Sequence, residues 1–250
     1  MARYPHLVPN VDVAIVGGTG VGPRLAKLGG KKFLLPTQYG NMRGLTLEHE
    51  GVNLLLVQRH ASGHKVPPHK VNYRATAQAL KNLGVKGVLS SAAVGCLRDE
   101  WPVGSFCVVT DFLDLSCRRT TMFDRTVEHR DFTHPLPLDQ NILAAANELG
   151  EHVQPHSTYL CNDGPRYETP AEIRMMRTMG ADLVGMTAST EAIALRELEV
   201  PYGCLAVVTN SAAGMSGQEL HHGEVTDVMQ TRGQTVVDIL LRTAVKLAKS

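Results

Sequence analysis

Arginine and histidine stand side by side at the end of an apolar run, in "LLLVQRH", as Arg59 and His60. A guanidinium binds phosphate or carboxylate through two parallel hydrogen bonds, and a neighbouring imidazole can donate to the same oxyanion. Small or hydroxyl-bearing residues follow three further apolar runs, namely Thr19 in "GGTG", Ala92 and Ala93 in "SSAAVG", and Thr187 in "GMTAST". Hydroxyls and closely approached backbone N–H groups are also anion donors. These segments predict one anion site if the fold brings them together.

Two other polar residues suit a flat ligand. Asn210 ends the apolar run "CLAVVTN" and is followed by small residues; its carboxamide can meet a ring edge that carries a carbonyl and an N–H. Glu168 precedes "TPAE", residues 169–172, which predicts a helix start with a capping box between Thr169 and Glu172. Because that cap gives Glu168 no structural role, we interpret its carboxylate as an acceptor for a ligand.

The elements that must position these residues alternate along the chain. Short apolar runs predict strands buried on both faces, over residues 11–18, 52–58, 85–95, 105–115, 181–187 and 202–210. Apolar residues at helical spacing predict helices over 71–84, 139–150, 170–180, 189–199 and 226–249. The pattern predicts one α/β domain, residues 1–250, with a parallel or mixed central sheet flanked by helices. Ligands of such sheets bind at the carboxyl ends of strands, where the polar residues above lie.

The composition excludes several classes of partner. Twenty-five Lys and Arg residues against 24 Asp and Glu residues give a net charge of +1, so neither nucleic acid nor an anionic membrane is expected to bind. Five scattered cysteines without a C-x-x-C pair favour reduced thiols and a cytoplasmic location. The N-terminus lacks an apolar signal core, and the 11 histidines lack metal-ligand spacing, so no metal is expected.

A dinucleotide-dependent oxidoreductase is the alternative that the glycine-rich turn after the first strand suggests. The turn reads "GGTGVG", which does not supply G-x-G-x-x-G, and the acidic residue expected about 20 positions later is missing. The sequence therefore disfavours this alternative, and tight binding of NADH would revive it.

Ten segments, in order, resemble the family of purine nucleoside phosphorylases and methylthioadenosine phosphorylases, in its trimeric branch. They are "VGGTG", "QRH", "PPHKVNYRA", "GCLRDE", "VGSFCVVTDFLD", "RTTMFD", "DGPRYETPAE", "GADLVGMT", "EAIALRE" and "VVTN", and they span nearly the whole chain. The resemblance implies a single-domain nucleoside phosphorylase fold, a homotrimer with sites near subunit boundaries, and phosphorolysis of a purine nucleoside to free base and pentose 1-phosphate. It implies no cofactor, with inorganic phosphate as a co-substrate.

The resemblance also implies roles by position. The phosphate pocket would comprise Thr19, Arg59, His60, the amides of Ala92 and Ala93, and Thr187. Met186 would lie under the ribose, and the base pocket would comprise Tyr167, Glu168 and Asn210 beside Ser211 and Ala212. Asn210 and Glu168 would be the catalytic residues at the departing purine. His129 of a neighbouring subunit would reach the 5′ end of the sugar.

Two positions favour a 6-oxopurine over adenine. Relatives that prefer adenine-type bases carry Asp at the position of Asn210, and the methylthioadenosine enzymes carry Ser at that of Glu168. A carboxamide can donate to a 6-oxo group, whereas an ionised carboxylate can only accept, as from the N1–H of hypoxanthine or guanine. Because a mismatched buried polar contact costs about 1–3 kcal/mol, the two positions predict inosine or guanosine as the substrate.

The sugar end leaves alternatives open. His222, in "QELHHGEV", falls where nucleoside-specific relatives place a histidine toward the 5′-hydroxyl and methylthio-specific relatives an apolar residue; His221 could be the aligned residue instead. The short N-terminus and "RTTMFD" resemble the methylthio branch. Phosphorolysis of methylthioinosine or methylthioadenosine is therefore the alternative activity, and a purine-binding protein without catalysis is a third interpretation.

Overall fold

Nine strands form one mixed sheet in the computed structural model, which describes residues 9–118, 120–217 and 219–250. The strands are β1 (Val13–Gly17), β2 (Lys31–Thr37), β3 (Gly40–His49), β4 (Val52–Gln58), β5 (Gly87–Cys96), β6 (Phe106–Asp114), β7 (Val153–Cys161), β8 (Leu183–Gly185) and β9 (Tyr202–Ser211). Their order is β2-β3-β4-β1-β5-β8-β7-β6-β9, and β9 also pairs with β5. That extra pairing closes the last five strands of this order into a barrel-like ring.

The sheet brings several strand ends to one edge. Strands β4, β1, β5 and β9 run parallel to their neighbours in this part of the sheet, so their carboxyl ends lie side by side. Strand β8 pairs antiparallel with the end of β5, where Val184 lies opposite Gly95. The register of β5 against β9 shifts between Val94 and Gly95, where Gly95 pairs with Asn210. Such irregularities re-aim side chains, and they are frequent beside active sites.

Helices cover both faces of the sheet. They are α1 (Gly22–Lys27), α2 (Tyr73–Leu83), α3 (Asp139–Glu148), α4 (Pro170–Thr178), α5 (Ala188–Glu197) and α6 (His222–Lys249), and a 3₁₀ turn lies at Pro68–Lys70. The capping box predicted for α4 is present: the Glu172 amide donates to the Thr169 hydroxyl over 3.2 Å, and the Thr169 amide donates to the Glu172 carboxylate over 2.7 Å. No helix in the described residues combines the length and the apolar composition that a membrane span requires.

Side chains alternate between two apolar layers along the central strands. In β1, Val13 and Ile15 pack into the layer that contains residues of α1, α3 and α6. Ala14 and Val16 enter the opposite layer, which α2 and α5 cover. Because strand side chains point alternately to the two faces, these fully buried strands carry near-continuous apolar runs.

The α/β fold class predicted from the sequence is confirmed, with a mixed sheet between helices. Each of the six predicted strands and five predicted helices is present, although 181–187 shortens to Leu183–Gly185 and the last helix begins earlier, at His222. The prediction omitted β2, β3, β7 and the short α1. Strands β2 and β3 are half exposed and polar, and β7 contains Pro155, so none of the three has a clear buried-strand pattern.

Candidate active site

A pocket of about 450 Å³ opens at the shared carboxyl edge of the central strands. Its volume falls within the usual range for small-molecule sites. Most of the predicted site residues line it, namely Thr19, Arg59, His60, Ala92, Ala93, Tyr167, Glu168, Met186, Thr187, Asn210, Ala212 and His222. The fold thus brings together residues that are far apart in the sequence, from Thr19 to His222. The remaining two predicted residues, Ser211 and His129, do not line the pocket.

Arg59 follows β4 and is held rigidly. Its Nε and Nη2 atoms donate to the two carboxylate oxygens of Glu191 over 2.6 and 2.8 Å, and Nη1 donates to the Ser91 carbonyl over 2.9 Å. Burial opposes the charge of Arg59, but the Glu191 carboxylate outweighs that effect and raises the arginine pKa above its usual value. Of the five N–H donors of a guanidinium, these three bonds leave one on each terminal nitrogen. Two neighbouring donors of this kind can bind two oxygens of an oxyanion.

The glycine-rich turn after β1 leaves space for the Arg59 side chain. A Cβ atom on Gly18 would lie 2.5 Å from Arg59 Nη1 and 2.8 Å from the Ser91 carbonyl oxygen, so no larger residue fits without displacing the arginine. The Gly18 amide donates to the Ser91 hydroxyl over 3.1 Å. The turn that resembles a dinucleotide motif in sequence therefore packs against an arginine.

His60 is fixed in one tautomer. Its Nδ1 lies 2.9 Å from the Val66 carbonyl oxygen; because a carbonyl can only accept, Nδ1 carries the proton and Nε2 of the neutral ring is an acceptor. Burial and the neighbouring Arg59 lower the pKa of His60 to about 4. The sequence interpretation expected His60 to donate to an anion. In this arrangement the neutral ring has a lone pair on Nε2, so it can accept a hydrogen bond from a ligand but cannot donate one from that atom.

Two further histidines continue from His60 along the pocket wall. The His60 and His64 rings lie 4.5 Å apart between centroids, and the His64 and His222 rings 5.7 Å apart. Burial and His222 lower the pKa of His64. His64 has φ of 55°, an uncommon conformation for a residue with a side chain and one that clusters at functional sites. His222, rather than His221, lines the pocket.

The backbone at Thr187 is anchored by a buried tyrosine. The amides of Thr187 and Ala188 donate to the Tyr159 hydroxyl over 3.1 and 3.4 Å. These amides begin α5, where the N–H groups have no partner within the helix. Since Tyr159 takes the amide of Thr187, it is the side-chain hydroxyl of Thr187 that remains for a ligand.

Asn210 is buried at the end of β9, with 8% of its surface exposed. The Thr209 hydroxyl lies 3.0 Å from Asn210 Oδ1, and Asn210 Nδ2 donates to the Ser211 carbonyl over 2.9 Å. An amide nitrogen carries two hydrogens and an amide oxygen two lone pairs. Each end of the carboxamide therefore keeps one hydrogen-bonding position for a ligand.

Glu168 is equally buried, with 8% of its surface exposed. Asn162 Nδ2 donates to Glu168 Oε1 over 3.1 Å, and within the described part of the chain Oε2 has no hydrogen-bond donor. The Asn162 amide in turn donates to the Gly185 carbonyl over 3.0 Å, which ties this residue to the end of β8. The carboxylate is thus oriented by one oxygen and presents the other to the pocket.

The segment before α4 is braced from outside the pocket. Arg166 donates to both carboxylate oxygens of Glu172, over 2.8 and 2.7 Å. These hydrogen bonds lower the pKa of Glu172 to about 2. Glu172 therefore takes part in the capping box and in the ion pair with Arg166. Glu168 lies between Arg166 and Glu172 in the sequence.

Sequence reasoning missed four residues that shape the site: Asn162, Tyr159, Glu191 and His64. Glu191 and His64 did carry a signal. Glu191 is an acid within an otherwise small and apolar helix start, "TASTEAIAL", and His64 follows Arg59 and His60 by a few positions. Asn162 and Tyr159 belong to the omitted strand β7 and its end, so no element placed them near the site.

Two predicted residues lie elsewhere. Ser211 lines an adjoining cavity together with Asn210, and it contributes its carbonyl to the Asn210 carboxamide. His129 lies on an exposed loop beside Val127, which is 92% exposed. Within the described residues, no group of three or more His, Cys, Asp and Glu side chains is arranged to hold a metal ion.

Comparisons with known proteins show the family to which the chain belongs. Residues 12–245 match the model of the phosphorylase superfamily. The chain is 40% identical over 243 residues to the 6-oxopurine nucleoside phosphorylase of Pyrococcus furiosus, covering 92% of this chain and 90% of the relative. It is 37% identical to the probable S-methyl-5′-thioinosine phosphorylase of Methanopyrus kandleri, covering 92% and 91%. Methylthioadenosine phosphorylase of Schistosoma mansoni in complex with adenine superposes with a TM-score of 0.88 at 25% identity, covering 96% and 93%.

A mixed sheet with a pocket at its carboxyl edge that holds a few convergent polar groups is the framework of an α/β enzyme. The chain belongs to the phosphorylase superfamily, and it is a pentosyltransferase.

Proposed function

We propose that this protein is a 6-oxopurine nucleoside phosphorylase, which cleaves inosine and guanosine with inorganic phosphate into the free base and ribose 1-phosphate. The observation that carries the proposal is the presence of Glu168 and Asn210 in the lining of one pocket, both buried and each with a free hydrogen-bonding position. The names of the Pyrococcus furiosus relative and of several others support it.

The base is recognised by complementary hydrogen bonds. Glu168 Oε2 accepts from N1–H of the 6-oxopurine, and the free N–H of Asn210 Nδ2 donates to O6. Asn210 Oδ1 accepts from N7 once the departing purine takes up a proton there from solvent. As the glycosidic bond breaks, negative charge spreads over the leaving purine while the sugar becomes oxocarbenium-like. Contacts at O6 and N7 then strengthen, so they stabilise the transition state more than the bound substrate.

The phosphate is bound and aimed rather than activated. The two free N–H groups of Arg59, the hydroxyls of Thr19 and Thr187, and the backbone of Ala92 and Ala93 surround it. His60 Nε2 accepts from the P–OH of hydrogenphosphate, because the neutral ring has no proton to give there. Orienting a nucleophile next to its target supplies rate without a general base. Met186 lies under the ribose between the phosphate and the base.

Phosphate dependence of cleavage tests the proposal. Purified protein is incubated with inosine, guanosine or methylthioinosine, with and without inorganic phosphate, and free base and pentose 1-phosphate are quantified by chromatography. We expect both products in equal amounts and only when phosphate is present. Binding of nucleoside without turnover would favour a non-catalytic purine-binding protein, and release of base in the absence of phosphate would indicate a hydrolase.

Methylthioinosine is the second candidate substrate, because Leu220 and Val225 line the same pocket as His222. It carries the same 6-oxo base as inosine, so Glu168 and Asn210 would serve both substrates. Only the 5′ group differs, a polar hydroxyl in one and an apolar methylthio group in the other. The name of the Methanopyrus kandleri relative is an independent reason to test it.

Replacing His222 separates the two substrates. His222→Leu removes a hydrogen-bonding partner of the 5′-hydroxyl, so we expect the ratio of kcat/KM for methylthioinosine to that for inosine to rise about tenfold, the equivalent of one hydrogen bond. His221→Leu is the matched control, since His221 does not line the pocket, and it should leave the ratio unchanged. An unchanged ratio in both variants would exclude His222 from the sugar site.

The protein is further inferred to be a homotrimer in which His129 of one subunit completes the sugar site of its neighbour. An exposed loop that carries His129 outside the pocket of its own chain is compatible with that arrangement. Light scattering gives the oligomeric state, and a dimer or monomer that retains full activity would contradict the inference.

A further inference from the structure

A chain of buried polar contacts runs outward from Arg59, away from the pocket. The Glu191 carboxylate that pairs with Arg59 also accepts from the Tyr202 hydroxyl over 2.8 Å, and Ser90 lies 2.6 Å from that hydroxyl. Because Tyr202 donates to Glu191, the Ser90 hydroxyl donates to Tyr202. Each of these side chains is at least nine-tenths buried. Charge balance requires only the ion pair between Glu191 and Arg59. The hydrogen bond from Tyr202 is therefore an additional contact of the Glu191 carboxylate.

Arg59 also stands between two cavities. It lines the substrate pocket, and it lines a second cavity of about 690 Å³ that Glu191 borders as well. A guanidinium on a flexible stem could turn into that second space. The paired bonds to Glu191 and the bond to the Ser91 carbonyl fix its plane, and with it the directions of the two free N–H groups.

We propose that Glu191 is the positioning residue of Arg59: its carboxylate, held by Tyr202 and Ser90, sets the orientation in which Arg59 binds phosphate. The inference rests on the phosphate site of the proposed function and on no other part of it. Glu191 makes no contact with substrate. Its effect is on phosphate affinity, and the nucleoside contacts remain as they are.

The central test is Glu191→Gln. The glutamine keeps the size of the side chain, but its NH₂ group cannot accept from Nη2, so one of the two bonds to Arg59 is lost. The Kd of inorganic phosphate is measured by titration calorimetry without nucleoside, and KM is measured for phosphate and for inosine separately. We expect Kd and KM for phosphate to rise about tenfold or more, the effect of losing a charge-assisted bond, while KM for inosine changes less than about twofold.

Two further variants make the result specific. Tyr202→Phe keeps the ion pair but removes the donor to Glu191 and, with it, the acceptor of the Ser90 hydroxyl, so it should raise KM for phosphate by a smaller factor, in the same direction. Asp182→Asn removes the negative charge from the 2.6 Å contact with Arg98, which lies outside the pocket, and it should lower the melting temperature without changing KM for phosphate or for inosine.

Equal changes in both KM values for Glu191→Gln, or no change in that for phosphate, would overturn the proposal. If Glu191→Gln does not fold, Tyr202→Phe decides: a wild-type KM for phosphate in that variant would overturn it. Calorimetry needs no turnover. A wild-type protein that binds phosphate but does not cleave inosine would therefore contradict the proposed function and still leave the Glu191 test readable.

Discussion

Asn210 and Glu168 follow the same rule at the scale of single residues. Each side chain is held by protein neighbours and keeps hydrogen-bonding capacity for the ligand: Thr209 and Ser211 hold Asn210, and Asn162 holds Glu168. A side chain fixed in this way loses little conformational freedom on binding. It also cannot rotate to suit a mismatched base, so the contacts discriminate between purines as well as bind them.

Asn210→Asp should reverse the preference for a 6-oxopurine over adenine at residue 210, while Glu168 is unchanged. A carboxylate repels O6 of hypoxanthine but accepts from the 6-amino group of adenine, so we expect kcat/KM for inosine to fall about 10- to 100-fold and that for adenosine to rise. Steady-state assays of both substrates check this. Asn147→Asp, on the exposed surface of α3, is the control and should behave as wild type. Unaffected inosine turnover in Asn210→Asp would show that Asn210 does not contact the base.

Gly18→Ala tests the close approach of the glycine-rich turn to Arg59. The added methyl group would overlap Arg59 Nη1 and the Ser91 carbonyl, so the arginine must move and we expect KM for phosphate to rise about tenfold. Gly223→Ala carries the same substitution into open space and should leave KM for phosphate unchanged. A wild-type value in Gly18→Ala would mean that the position of Arg59 does not limit phosphate binding.

At the scale of elements, the start of α4 determines where Glu168 stands. The capping box satisfies the first amides of the helix, and the Arg166–Glu172 pair braces the residues just before it. The helix start and the base contact are therefore one structural unit. Loss of the cap should affect both stability and nucleoside binding.

Thr169→Ala removes the hydroxyl of that cap. We expect the free energy of unfolding to fall by about 1 kcal/mol, as for other N-cap substitutions, and KM for inosine to rise a few-fold because Glu168 is adjacent. Urea unfolding and steady-state kinetics measure the two effects. Thr178→Ala, at the exposed far end of the same helix, should change neither quantity appreciably. A loss of stability with an unchanged KM would separate the cap from the base contact.

Elements with one strong physical signal could be predicted from the sequence. Buried strands such as Val52–Gln58 have continuous apolar runs, and four adjacent residues specify the cap of α4. Pocket residues at strand ends were predictable for the same reason, since strand ends are visible in the sequence. The Arg59–Glu191 pair was not, because its partners are 132 positions apart and only the packing of α5 brings them together.

At the scale of the whole molecule, the histidines that line the pocket link stability to pH. The pKa of His60 is lowered to about 4 in the folded protein, whereas an unfolded histidine titrates near 6.5. Between these values the unfolded chain binds a proton that the folded protein does not. The free energy of unfolding therefore falls as the pH falls from about 6.5 to about 4.

His60→Gln should flatten this dependence. The wild type should lose up to roughly 3 kcal/mol through the window, with His64 adding in the same direction, and the variant should lose less. Denaturant unfolding at several pH values, in phosphate-free buffer, measures both slopes. Carboxylates with lowered pKa values, such as Glu172, lose their contribution only below about pH 5, so the range from about 5 to 6.5 reports on the histidines. Identical slopes in the two proteins would contradict the assignment.

The central claim is that the pocket selects a 6-oxopurine through Glu168 and Asn210. The most direct measurement is the ratio of kcat/KM for inosine to that for adenosine, with phosphate, in the wild-type protein. Two mismatched contacts of about 1–3 kcal/mol each predict a preference for inosine of at least about 30-fold. Equal values, or a preference for adenosine, would contradict the claim.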